Sequence, residues 1–159
     1  MRTLHKRSIL SLLASLGLAM PAAAGVADEA SLEILVDTIQ ANKKAFVAVN
    51  LGLEDDEAEA FWPLYDRYQG DLSSVRDRFV EIIEDYTTNF TTMNDEYANR
   101  LLEEFLEIEL ERAEVRKKYK EPFSKILPGR KVVRFYQIEN KIQAVLRYEL
   151  ARDIPVIEQ

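Results

Sequence analysis

Between Phe61 and Tyr86 the large apolar positions recur at alternating steps of four and three: Phe61, Tyr65, Tyr68, Leu72, Val75, Phe79, Ile82 and Tyr86. That spacing is the heptad seam of helices that pack side by side. A second seam follows at Ala98, Leu101, Phe105, Ile108, Arg112, Val115 and Tyr119. Folding one seam back on the other sets Phe79 against Phe105, Ile82 against Leu101, Tyr68 against Val115 and Tyr65 against Tyr119. The two residue numbers of each pair add to 183 or 184. One register satisfies every layer, which predicts a long antiparallel helical hairpin with arms of about 45–50 Å at 1.5 Å per residue.

Punctuation around the seams predicts the remaining elements. Nothing after the first 24 residues alternates with period two, and only Gly25, Gly52, Gly70 and Gly129 are glycine there, so strands are not expected. A first helix is read over 29–49, with Ser31 as cap and Leu32, Leu35, Val36, Ile39 and Phe46 on one face. Asn50-Leu51-Gly52 ends it. The second helix starts near Glu54 and runs to Asn89, and Pro63 predicts a kink near residue 60. A threonine-rich turn over 87–93 leads to Asn94, which caps the third helix. Pro122 and Pro128 are read as closing that helix, with a frayed last turn over 123–127. A fourth helix runs to about Arg152, with Phe135, Ile138, Ile142, Val145 and Leu146 inward, and an apolar tail over 154–157 is expected to lie on the bundle. The fold class is all-α: four helices built around a long antiparallel hairpin. Arg112, the charged residue of the second seam, is placed opposite Leu72, with its head led to water or to a carboxylate such as Asp71.

The first 24 residues read as a secretory signal peptide. Arg2, Lys6 and Arg7 precede an apolar stretch over 8–20 that is too short to span a bilayer. Ala22 and Ala24 then supply the small residues of a cleavage site. A single domain over 25–159 and a periplasmic location follow as expectations, with no stable membrane insertion after cleavage. Cleavage leaves 18 basic residues against 28 acidic ones, a net charge of −10. Such a balance argues against nucleic acid or an anionic membrane as partner. His5, the one histidine, lies in the leader, and the chain has no cysteine. That removes the usual general base, thiol nucleophile and zinc ligands, so catalytic residues, metal sites and cofactors are not expected and a non-enzymatic binding role is.

Two surfaces are candidates for that role. Arg116, Lys117, Lys118 and Lys120 end the third helix and Arg130, Lys131 and Arg134 begin the fourth, a basic patch suited to recruiting acidic or unfolded protein clients. Tyr65 and Tyr68 are candidate binding aromatics beside it, although aromatics at helical spacing usually belong to a core. Near the hairpin tip Val80, Ile83, Leu102 and Leu106 form a second apolar stripe that the shorter outer helices do not easily reach. It is a candidate homodimer contact, the other reading being burial under the end of the fourth helix. The acidic run over 54–59 lacks the spacing of a calcium loop and suits a helix start instead.

The stretch Leu51-Gly52-Leu53-Glu54-Asp55-Asp56-Glu57, with Phe61-Trp62-Pro63-Leu64-Tyr65 after it, resembles the helix-opening Leu-Thr-x-x-Gln motif of the Spy/CpxP-like periplasmic helical proteins. An exported branch around that family also carries a late segment similar to Leu127-Pro128-Gly129-Arg130-Lys131 and Phe135-Tyr136-Gln137-Ile138-Glu139. Glu54 stands where the family has threonine and Glu57 where it has glutamine. The resemblance implies a cradle-like dimer in the periplasm, acting as an ATP-independent chaperone, an envelope-stress accessory that docks one envelope protein, or a metal-responsive protein. The absence of histidine from the mature chain disfavours the last.

Overall fold

The computed structural model describes residues 42–156, which are helical almost throughout, with no strand among the described residues. Helix α1 is described over 42–51; α2 spans Asp55–Asn89, α3 Asp95–Ile126 and α4 Gly129–Asp153. The signal-peptide residues and the expected first-helix positions 29–41 lie outside the described residues. No described helix is long and apolar enough to cross a membrane.

Local chemistry sets the boundaries. Gly52 takes a φ of 66°, a left-handed conformation that a side chain would strain, and this turns the chain from α1 into α2. The Glu57 carboxylate accepts from the Glu54 amide at 2.9 Å, half of a capping box, and Asp55, Asp56 and Glu57 oppose the positive end of the α2 dipole. At the start of α3 the Asn94 side chain accepts from the Tyr97 amide at 2.9 Å, the cap that its position predicts. Helix α2 continues through Pro63 without a break.

The antiparallel pair α2–α3 is the backbone of the fold, and the interior falls into two clusters. At the base, Phe61, Tyr65 and Tyr68 of α2 meet Tyr119 and Phe123 of α3 and Phe135 of α4, with Val47 and Leu51 of α1 closing one side. Ring centroids lie 4.7 Å apart for Phe123–Phe135, 5.4 Å for Phe61–Phe135 and 5.5 Å for Phe61–Phe123, within the range where aromatic pairs add to their burial. Nearer the tip, Val75, Phe79, Ile82, Leu101 and Ile108 pack with Leu146 and Leu150 of α4.

Four expectations change in detail. Phe79 does face Phe105, and Val115 packs on the cluster that holds Tyr68, but the Tyr68 ring also meets Tyr119 and Phe123, and the ring contacts of Tyr65 are with Phe61, Trp62 and Phe135. The large rings at the base interleave with α4 as well as with α3, so two-helix register alone does not set their partners. Pro122 does not close α3: the helix continues to Ile126, and Phe123 is fully buried instead of frayed. Burial of that ring outweighs the one backbone bond that proline removes. Arg112 lies over the Phe79 ring and bonds Glu109 at 2.8 Å, while Asp71 takes Lys118 at 2.7 Å and the Tyr119 hydroxyl at 2.9 Å. Finally, α4 and the tail reach further than their length suggested. Ile154 joins the upper cluster, and the Tyr86 hydroxyl donates to the Pro155 carbonyl at 2.7 Å.

The base cluster predicts a steep contrast in stability. Phe123→Ala is expected to cost about 3–5 kcal/mol in urea unfolding, from lost transfer energy plus the cavity left behind. Val133→Ala on the exposed flank of α4 is expected to stay within about 0.5 kcal/mol.

Candidate functional site

The basic residues read from the sequence divide into two groups. Arg130, Lys131 and Arg134, joined by Lys141, line an open groove of about 670 Å³ between the start of α4 and the α1–α2 turn at Asn50–Gly52. Within it, the Arg134 side chain donates to the Asn50 carbonyl at 2.6 Å, and Lys131 pairs with Glu57. These contacts tie α4 to the end of α1 and the start of α2 and leave Arg130 and Lys141 on the surface. The α3 run is separate in its contacts. Lys118 pairs with Asp71, and Arg116 bonds Asn140 at 2.6 Å and lies over the Tyr136 ring. Lys117 and Lys120 point to solvent with no ion pair among the described residues. Part of the basic patch is therefore structural, and the cations left over are Lys117, Lys120, Arg130 and Lys141.

Tyr65 and Tyr68 are not surface residues. They are 2% and 0% exposed, and burial, reinforced by the Glu139 charge, pushes the ionisation of both hydroxyls far up. They belong to the core, as does the ring system around them, and the candidate binding role passes to other residues.

The second apolar stripe splits. Val80 and Ile83 are half-buried against the upper cluster, under the reach of α4 and its tail. Leu102 and Leu106 stay exposed, at 55% and 56%, and Leu110, one turn on, is 62% exposed. Three leucines four residues apart share one side of a helix, so they form a continuous ridge about 12 Å long at 1.5 Å per residue. Glu103 and Glu107 flank it.

The interior holds a polar group that the sequence reading passed over. Lys43 of α1 and Glu139 of α4, 5% and 2% exposed, form an ion pair at 2.9 Å. Gln69 accepts from Lys43 at 3.1 Å and the Tyr68 hydroxyl donates to Glu139 at 3.3 Å. A signal was present: Lys43 lies four and eight residues before Val47 and Leu51, and Glu139 falls between Phe135 and Ile142 at the core spacing of α4. Among the described residues no three His, Cys, Asp or Glu side chains gather as a metal site.

No family model matches the chain, and no curated protein or solved structure shows significant similarity to it.

Two partly covered carboxylates make stability depend on acid. Bonds from Lys131 and the Glu54 amide hold Glu57 below its ordinary value of 4.5, and bonds from Lys118 and Tyr119 hold Asp71 below 3.8. A lowered folded-state value means that the stabilisation is complete above the ordinary value and is lost as pH falls through the folded one. Unfolding midpoints in urea are expected to drop as pH falls from about 5 to 3, and Glu57→Gln to lower the midpoint at pH 7 while flattening that drop.

Proposed function

We propose that this chain is a non-enzymatic protein-binding protein of the periplasm, of the chaperone or envelope-stress-accessory kind. The observation that carries the reading is the exposed ridge Leu102, Leu106 and Leu110 on a hairpin whose other large apolar positions are mostly covered. Contiguous apolar surface of this kind marks interaction sites, and a ridge on a long helix offers it to extended or partly unfolded segments. The unpaired cations Lys117 and Lys120 lie further along the same helix, and Arg130 and Lys141 lie in the groove. Positive charge of this sort speeds encounter with acidic segments, while apolar contact sets residence time. The leader-like start and the early and late motif segments support an envelope setting, and the lack of histidine and cysteine after His5 supports a role without catalysis.

The same ridge supports a homodimer. An antiparallel pairing of α3 with its copy, centred on Leu106, sets Leu102 against Leu110 of the second copy and Asp95 against Lys117. Opposed helix dipoles and one opposite-charge pair at each end favour that alignment. Docking to a single envelope protein is the second reading and makes use of the same leucines.

The test uses the purified protein and an unrelated denatured client. Stoichiometric protein without ATP is expected to suppress client aggregation, with Leu102→Lys/Leu106→Lys losing most of the effect and shifting sedimentation toward monomer. No suppression at low or high salt contradicts the chaperone reading. Recovery of one dominant partner by cross-linking in cells then favours the single-docking accessory.

A further inference from the structure

Arg130, Arg134, Gln137 and Lys141 follow one another along α4 at steps of four, three and four, so they share one face and wall one side of the open groove. No carboxylate is among the described residues that line it. Glu57 neutralises Lys131, but Arg130 and Lys141 are exposed and make no ion pair among the described residues. Arg134 gives its Nε–H to the Asn50 carbonyl at 2.6 Å, and that acceptor is neutral. The bond holds the guanidinium by one edge and leaves its charge uncompensated, with the terminal N–H groups available to other acceptors. Three positive charges thus stand in a row, in a chain whose formal net charge is −7.

Spacing decides what such a row can take. At 1.5 Å per residue the step from Arg130 to Arg134 is about 6 Å along the helix, and the whole row is about 16 Å long. Donors spread over that length do not converge on one small anion. A nucleic-acid strand carries a phosphate about every 3.4 Å, so most of its charges find no cation here, and the acidic remainder of the chain repels them. In an extended peptide, side chains on the same side recur about every 6.6 Å. Carboxylates at alternate positions therefore meet Arg130 and Arg134 in register. A third, about 13 Å from the first, lies within the reach of the long Lys141 stem.

We propose that this groove binds an extended acidic peptide segment with carboxylates at alternate positions, its axis along α4. Arg134, positioned by the Asn50 carbonyl, makes a forked contact with the central carboxylate through its terminal nitrogens. Arg130 and Lys141 take the flanking carboxylates, and the Gln137 amide serves the peptide backbone between them. The proposal rests on the protein-binding reading above and adds to it a second surface, apart from the leucine ridge, with a sequence pattern of its own.

Fluorescence anisotropy at low salt tests this with a labelled peptide of alternating aspartate and serine, three aspartates in all. The protein is expected to bind it, to bind the asparagine counterpart about tenfold more weakly, and to bind the isomer with three contiguous aspartates about threefold more weakly. Arg130→Gln/Lys141→Gln, at exposed positions outside the ion pairs of the fold, is expected to weaken the alternating peptide about tenfold. Lys117→Gln/Lys120→Gln removes the same charge from α3 and is expected to change binding by less than about twofold. No binding, equal losses from the two variant pairs, or equal binding of the alternating and contiguous peptides each overturn the proposal. Suppression of client aggregation without peptide binding overturns the groove alone. Peptide binding without suppression overturns the chaperone reading and leaves the groove standing.

Discussion

The fold depends on the packing around one ring, that of Phe123. It touches Phe135 of α4 at 4.7 Å and Phe61 and Tyr68 of α2 at 5.5 and 5.7 Å, in the cluster that also takes Val47 and Leu51 of α1. Among the described residues no other apolar layer joins all four helices in this way. With no disulfide available to a chain without cysteine, this aromatic contact does the work that a cross-link performs in many small exported domains. It also explains how α3 passes through Pro122. Losing one backbone bond costs less than exposing a ring that ties four elements together.

A second constraint sits just above that layer. Lys43 and Glu139 are buried together, and such a pair is a poor source of net stability because desolvation offsets most of the attraction. Its value lies in geometry. Lys43 can meet Glu139 and Gln69 at once only when α1, α2 and α4 share one register, whereas apolar contacts alone tolerate sliding. Removing either partner strands the other charge in the interior, so the pair acts as a penalty on misdocked forms of α1.

Much of this was legible in the residues. The hairpin and its ends followed from two seams, the Gly52 turn and the Asn94 cap, because each reports a local requirement that neighbours do not alter. What escaped was decided by a third or fourth helix. The ring partners of Tyr68, which are Tyr119, Phe123 and Phe135, were not read from the two seams because α4 shares the layer. Arg112 turns to Glu109 because Lys118 already holds Asp71. Lys43 and Glu139 were passed over because charged residues at core spacing usually face water, and only their meeting across 96 positions makes burial tolerable. Of the candidate surface, the split of the tip stripe into covered Val80 and Ile83 and open Leu102 and Leu106 depended on how far the tail reaches, which helix periodicity does not encode.

Because the interior takes up Tyr65 and Tyr68 and most of the large apolar side chains of the hairpin, the working surface proposed for this chain narrows to the α3 leucine ridge and the cations near it. Amide hydrogen exchange of the protein with and without a permanently unfolded client tests this most directly, since protection reports where backbone opening is suppressed. The account predicts that client binding slows exchange over residues 99–113 of α3 and leaves the base of the hairpin around Phe61 and Phe123 unchanged. Unaltered exchange over 99–113 with client bound elsewhere contradicts it.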